Sequence, residues 1–545
     1  MNSLVLILGS IVIFVIAYFT YGTWLAKAWG IDETRPTPAH TKEDGIDYVP
    51  SKPQVLLGHH FASIAGAGPI TGPIQAAIFG WVPVMLWIII GGIFFGGVHD
   101  FGSLTASMKH DGKSIGVIIE EYMGHSGKML FSAFAWLTLL LVVAAFTNIV
   151  AASFASTPAA ATTSVLFVFI AVIFGYAVYR KGVGLGIATV FGVIGLFVSI
   201  YLGMKFPLQL GLNTWIVILA IYAFIASTAP VWILLQPRDY LNSYLLYVMM
   251  AGAIIGLFVM HPVMKIDAFA GFTVKTAVGN QYLFPILFIT VACGAISGFH
   301  SLVGSGTTSK QIDNEKDAKF IGYGGMLIES VLAVVAIITA GYLTAGDFSA
   351  LLAEGGPVVV FAQGVGTFMT AFGMPLDTGI TFVTLAVSAF ALTSLDTATR
   401  LARFIFQEYF EKEDVPKSEQ PIMTNMYFST AITVFIGAFF AGNGYQVIWP
   451  IFGAANQLLA ALALLALAVW MKGTNRSYSM FSIPMVFMFA ATLSTLVLNI
   501  KANLATLNVI MVVLPAILFV LAVVLAYQGY QVLVQGKDLR KRPTR

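Results

Sequence analysis

Charge and cysteine are what this sequence has least of. Cys293 is its only cysteine and lies in an apolar run, which excludes a disulfide framework and a multi-cysteine metal site. Asp, Glu, Lys and Arg make up only 10% of the 545 residues, too few to cover the surface of a water-soluble domain of that length. Nucleotide-binding loops are missing as well. "GSGTTSK" at 304–310 lacks the spacing of a phosphate loop and a strand before it, and "GVGLG" at 182–186 is not a dinucleotide fingerprint. An ATP-driven pump is thereby disfavoured, and an ion gradient is left as the energy source for any transport. The net charge of +3 carries no sign of a nucleic-acid partner.

What is present is apolar surface. Hydrophobic residues make up 58% of the chain, and runs of 17 to 25 of them recur from end to end. The expected fold is an all-α polytopic membrane protein, with the lipid bilayer as its solvent. Candidate spans fall near 3–22, 54–78, 80–99, 128–150, 158–178, 184–204, 213–234, 244–261, 283–300, 320–343, 378–396, 424–441, 447–471, 481–500 and 507–528, about fifteen in all. The first, "SLVLILGSIVIFVIAYFTYG", has no basic segment before it and reads as a retained helix. Lys and Arg gather in alternate connections and in the tail "KDLRKRPTR", while the connection at 344–377 has neither. The positive-inside rule then puts the tail in the cytoplasm and the amino terminus outside.

One stretch resists this pattern. "GHHFASIAGAGPITGP" at 58–73 crowds Gly66, Gly68, Pro69, Gly72 and Pro73 into a span. In hydrocarbon an unwound segment survives only where protein or a watery cavity covers it. Its return is a set of free amides and carbonyls and two half-helix ends, each carrying about half an elementary charge. A simple kink is the plainer reading, since Gly and Pro are common in membrane helices. The density of breakers favours a substrate or ion site built on Ser63, Gly66, Ala67, Gly68, Pro69 and Thr71. A second interruption, "FIASTAPVWILLQPRDY" at 224–240, brings Ser227, Thr228 and Pro230 into the seventh span and echoes the first. Five spans separate the two starts, and an odd repeat returns inverted. The sequence thus predicts two five-helix bundles around discontinuous helices. Its divisions are 1–53, the first helix and a cytoplasmic loop; 54–204 and 205–399, the inverted repeats; and 400–545, a loop, peripheral helices and the basic tail.

The strings "GHHFASIAGAGPITGPIQAAIFGWVP", "FGGVHDF", "PVWILLQPRDYLN", "GMLIESVLAVVA" and "WPIFGAANQLLAALAL" resemble, long and in order, the carbon starvation protein A family of bacterial inner-membrane proteins. The resemblance implies ion-driven import of small peptides or pyruvate when nutrients are scarce. It also implies kinship with the amino acid, polyamine and organocation transporters and their LeuT-like five-plus-five core. In sodium-coupled proteins of that fold the eighth core helix offers hydroxyls to a sodium ion held against the first broken helix. Counted along this chain, that role falls to the ninth span, with Ser297 and Ser301 four residues apart on one face and His300 one step round for proton coupling. Small-residue packing is the equally weighted alternative.

The remaining polar residues are weighed singly. Glu329 lies about ten residues into its span, roughly mid-depth at about 1.5 Å per residue, where a carboxylate is a site hypothesis by default. It can accept a coupling proton or pair with a peptide amine; a neutral acid bonded between helices is the plain alternative. His59 and His60 flank the break, and with His99 and Asp100 they suggest hydrogen bonding at the cytoplasmic mouth more than a metal. Arg238 and Asp239 end the seventh span as a gate or as a topology anchor. Asn456 and Gln457 suggest interhelical hydrogen bonding or an oligomer contact. No metal or organic cofactor is expected, the coupling ion is H+ or Na+, and the oligomeric state is open. A channel would need a ring of pore residues, and an embedded metal-dependent enzyme or sensor would need a paired acid and base; both rank below a secondary transporter. Peptides are favoured over pyruvate as substrate because Glu329 suits an ammonium group.

Overall fold

The structure is a computed structural model that describes residues 1–276, 279–412, 415–442, 445–504 and 509–539. Of the basic tail, residues 540–545 lie outside the described residues. Twelve helices among those described are long and apolar enough to cross a membrane. Eleven coincide with expected spans. The twelfth, Ala345–Phe372, falls in the stretch read as a connection, because its hydropathy is diluted by "AEGGP". The helical path is interrupted there at Gly355 and Gly356, the latter at φ 75°, before Pro357. Four expected spans are absent from the twelve. Leu212–Thr228 and Met426–Ala441 are apolar but shorter, and 54–78 and 283–300 each consist of two short helices.

Burial separates a centre from a periphery. The apolar windows of Lys319–Gly341 and Ile451–Gly473 are 89% and 94% buried, against 28% for Leu185–Lys205 and Val512–Leu533. The peripheral helices present Phe169, Ile173, Phe191 and Phe197 outward. An apolar exterior of that extent is what a helix hydrophobic all round offers to lipid. The central helices carry the polar residues, which need partners that lipid does not supply. Two long helices, His125–Ser156 and Leu376–Phe410, pack along each other, and Met426–Ala441 and Leu212–Thr228 lie against both. Close approaches are made at small residues, as where a Cβ on Gly256 would meet Phe368 O at 2.2 Å. One antiparallel hairpin, Thr273–Thr276 with Gly279–Tyr282, precedes the pair at 283–306.

The interruption in the seventh span is a helix end and not half of a facing pair of breaks. Leu212–Thr228 stops where Pro230 can no longer donate, and a new helix, Leu235–Met260, begins seven residues after Thr228. Arg400 donates to the terminal carbonyls of Ala226, at 2.9 Å, and Ala229. The turn is pinned further by Val231 N to Ile46 O at 3.1 Å and by Trp232 Nε1 to Gly45 O at 3.1 Å. A cation on the carbonyl end of a helix is the favourable arrangement of charge on dipole. The resemblance of "FIASTAP" to "FASIAGAGP" is therefore local, and Ser227, Thr228 and Pro230 belong to this anchored end.

Candidate functional site

The helix Pro53–Ile64 ends because Pro69 and two glycines follow within five residues. Ala65, at φ −78° and ψ 54°, forms a tight turn in which Gly66 N donates to Ile64 O at 2.8 Å. Helix Gly68–Ala76 then starts with Pro69 in its first turn, where a missing N–H costs nothing. The segment packed against it is the second break. Helix Leu283–Thr290 stops, residues 291–297 are not helical, and Gly298–Gly306 resumes. A Cβ on Gly68 would lie 2.3 Å from Cys293 Sγ, and one on Gly72 would lie 2.5 Å from Thr290 O. Only glycine lets the two chains come this close. A cavity of about 470 Å³ opens beside them, lined by Gly68, Thr71, Gln75, Thr290, Cys293 and Asn456 among others. The Thr71 hydroxyl is buried and has no partner among the described residues.

Asn456 has a definite task here. Its Oδ1 accepts from Phe299 N at 2.8 Å and its Nδ2 donates to Ser297 Oγ at 3.0 Å, which caps the helix after the second break. Gln457 Nε2 donates to Phe288 O at 3.2 Å. Both are interhelical hydrogen bonds. Ser297 is thus a cap residue outside the helix, and the Ser301 hydroxyl donates to Gly298 O at 2.7 Å. The two do not share a face, contrary to what their spacing suggests. The hydroxyls that meet the first break come from Leu376–Phe410: Thr397 Oγ1 lies 3.1 Å from Ser63 Oγ, and Ser394 Oγ donates to Ser63 O at 3.1 Å.

Behind the cavity is a chain of fully buried titratable groups. Asp100 takes His99 Nδ1 on one oxygen at 2.7 Å and His300 Nδ1 on the other at 2.8 Å. The second ring nitrogen of His300 lies 3.5 Å from Glu329 Oε2. Neither oxygen of Glu329 has a hydrogen-bond partner among the described residues. His60 Nδ1 pairs with Thr308 Oγ1 at 2.8 Å beside this group. Asp100 and Glu329 sit on helices that each contain a π turn, Gly92–Gly96 and Lys319–Tyr323. Such bulges shift helical register and recur at functional sites.

A second cluster joins four helices. His59 Nδ1 pairs with Asp239 Oδ2 at 2.8 Å, Arg238 holds Asp239 Oδ1 at 2.8 Å, and Arg238 also binds Asp396 and the Tyr222 hydroxyl. Tyr222 in turn donates to Asp396 Oδ2 at 2.7 Å. Arg238 is 1% exposed and both aspartates are fully buried, so the pair is an internal clasp and not a surface anchor. Asp396 and Tyr222 are absent from the residues singled out in the sequence. Asp396 closes the expected span 378–396, and the rule that picked Glu329, a carboxylate within a membrane span, extends to it. The residues expected at the cytoplasmic mouth and as a gate thus divide: His59, Arg238 and Asp239 into this clasp, His99 and Asp100 into the cluster behind the cavity, and His60 beside that cluster.

A family model described as carbon starvation protein CstA matches residues 2–354 and 349–495. The chain belongs to the carbon starvation protein family. It is 33% identical to a Bacillus subtilis protein named peptide transporter CstA, over 85% of this chain and 84% of that one. It is 32% identical to the Escherichia coli peptide transporter CstA, over 86% and 76%. It is also 32% identical to the E. coli pyruvate/proton symporter BtsT, over 85% and 76%. Among solved structures, the Eremococcus coleocola manganese transporter superposes with a TM-score of 0.52 at 12% identity, covering 90% of this chain and 99% of that one. That likeness is one of fold.

Proposed function

We propose that this family member is a secondary transporter that imports short peptides across the bacterial inner membrane, driven by an ion gradient. The observation that carries the reading is the meeting of two broken helices on one cavity, with the buried Asp100, His300 and Glu329 behind it. Free backbone groups and half-helix ends are the recognised means of holding a zwitterion where Lys and Arg are scarce. Glu329, buried with both oxygens unpartnered, suits an ammonium group or a coupling proton. Pyruvate is the second reading, favoured by the equal likeness to a pyruvate/proton symporter and by a cavity lining that, among the described residues, has no carboxylate to pair with an ammonium group.

We further infer a five-plus-five inverted repeat of the amino acid, polyamine and organocation type, with boundaries other than 54–204 and 205–399. The first repeat takes 53–76, Trp81–Lys109, His125–Ser156, Leu212–Thr228 and Leu235–Met260. The second takes 283–306, Lys319–Gly341, Leu376–Phe410, Met426–Ala441 and Tyr445–Gly473. The two series match member by member: broken, π-bulged, long, short, long. Seven crossings separate the first break from the second, and an odd number inverts the repeat. The hairpin Pro158–Tyr179 with Leu185–Lys205 is an insertion of two crossings, and Ala345–Phe372, broken at Gly355 and Gly356, is an insertion that enters and returns on one side and adds no crossing. This gives fifteen crossings, an outer amino terminus and a cytoplasmic tail. In this frame a sodium site falls at Ser63, Ser394 and Thr397, and a proton site at Glu329 and His300.

Purified protein sealed into liposomes provides the test. Labelled dipeptide should accumulate under an imposed proton or sodium gradient without ATP. Accumulation of pyruvate alone would select the second reading, and failure of either solute to accumulate under any gradient would overturn both.

A further inference from the structure

Three different metal-ligating side chains converge behind the cavity, the thiol of Cys293 held only by a 3.5 Å contact to Ser297 Oγ. Cys293, His300 and Glu329 each bring one ligand atom to a place where all three lie within 4.8 Å of one another. They come from separate elements: the non-helical link 291–297, the helix Gly298–Gly306, and the helix following the π turn Lys319–Tyr323. Asp100 takes His300 Nδ1 at 2.8 Å and so presents the other ring nitrogen to Glu329 at 3.5 Å. That nitrogen and both Glu329 oxygens have no hydrogen-bond partner among the described residues, and both side chains are fully buried. Unpartnered polar atoms at such depth are costly, and one cation satisfies all of them.

We propose that Cys293, His300 and Glu329 form a three-ligand site for a divalent transition-metal ion of the zinc class, with its fourth position open to the cavity that Cys293 lines. Sulfur, imidazole and carboxylate together suit zinc and its neighbours, whereas calcium and magnesium take oxygen alone. Bonds of about 2.0–2.3 Å set tetrahedral donors roughly 3.3–3.8 Å apart, so the imidazole and carboxylate already fit and the thiol must close by about one ångström. Binding releases the thiol proton, and the proton of Glu329 when it is protonated, to solvent and leaves a thiolate and a carboxylate on the metal. Asp100 is the outer carboxylate that orients a metal-bound imidazole. The site goes beyond the transport reading and does not rest on it.

Cobalt is the probe, titrated into full-length protein in detergent as a spectroscopic stand-in for zinc. One equivalent should bring up a sulfur-to-cobalt charge-transfer band in the near ultraviolet with the visible bands of four-coordinate cobalt, and zinc should bleach both. Cys293→Ser should lose the charge-transfer band, and Asp100→Asn should weaken cobalt binding by about 10–100-fold. Thermal unfolding checks that each variant is folded, and Glu329→Gln takes the place of Asp100→Asn should that variant fail. A charge-transfer band that survives in Cys293→Ser, or no band in the parent protein, overturns the site whatever the outcome of uptake assays.

Discussion

His300 Nδ1 stands 2.8 Å from Asp100 Oδ2, so the helix that follows the second break is tied through its imidazole to the Trp81–Lys109 helix, while its other ring nitrogen faces Glu329. A proton arriving at Glu329 therefore has a histidine and a second carboxylate within reach. If Glu329 carries the coupling proton, Glu329→Gln keeps the shape of the neutral acid and removes its titration. This variant is expected to exchange substrate across liposomes at equal pH and to lose accumulation under a proton gradient. Parent-level proton-driven accumulation would move the role to His300. Retained sodium-driven accumulation, lost in Thr397→Val, would move it to the hydroxyls at Ser63.

Gly68 meets the second break more closely than any side chain allows, with Cys293 Sγ 2.3 Å from where its Cβ would be. Gly68→Leu is expected to insert and remain monodisperse, to lose about 1–3 kcal/mol of stability through overpacking, and to show no uptake. Uptake at the parent rate in Gly68→Leu would show that the breaks are kinks without a role in binding.

The clasp of Arg238 with Asp396 and Asp239 is buried, so removing one partner leaves a charge without compensation. Arg238→Met is expected to cost about 3–5 kcal/mol, and the double variant Arg238→Met with Asp396→Leu to recover much of it. Tm values for the four corners of the cycle check this. Additive losses would mean that the two charges do not depend on each other.

At the cytoplasmic end proposed for Leu376–Phe410, Asp47 pairs with Arg400 at 2.7 Å and lies 3.7 Å from Arg403. Burial pushes its carboxyl up, but the charges of Arg400, Arg403 and Lys310 outweigh that and hold it below the ordinary range. A depressed folded value contributes stability that is present above the unfolded value of about 4 and is lost as pH falls through the folded one. Asp47→Asn should therefore lower Tm at neutral pH and flatten its decline below about pH 4. An identical acid decline in the variant would show that Asp47 contributes none of it.

Helical class, most of the spans and the first break were decided by the sequence itself, because they follow from local covalent facts. Apolar runs must pair their backbone internally in lipid, and Pro69 removes the hydrogen bond to the Ala65 carbonyl just where Gly66 and Gly68 already weaken the helix. The second break has no such local cause. No proline lies between Val291 and Gly298, and the segment reads as one apolar span closed by small residues. Its helix stops because Gly298 is pressed against Asn456 O and Ala460 N, and because Asn456, 159 residues from Ser297, supplies the cap. In the same way "FIASTAP" reads as a site until Arg400 is found on its carbonyls. Asp396 becomes part of a clasp only when Leu376–Phe410 is laid beside Leu235–Met260. Local breakers end helices by sterics and are legible in one dimension. Caps, ion pairs and facing partners depend on which distant segments meet, and packing alone decides that.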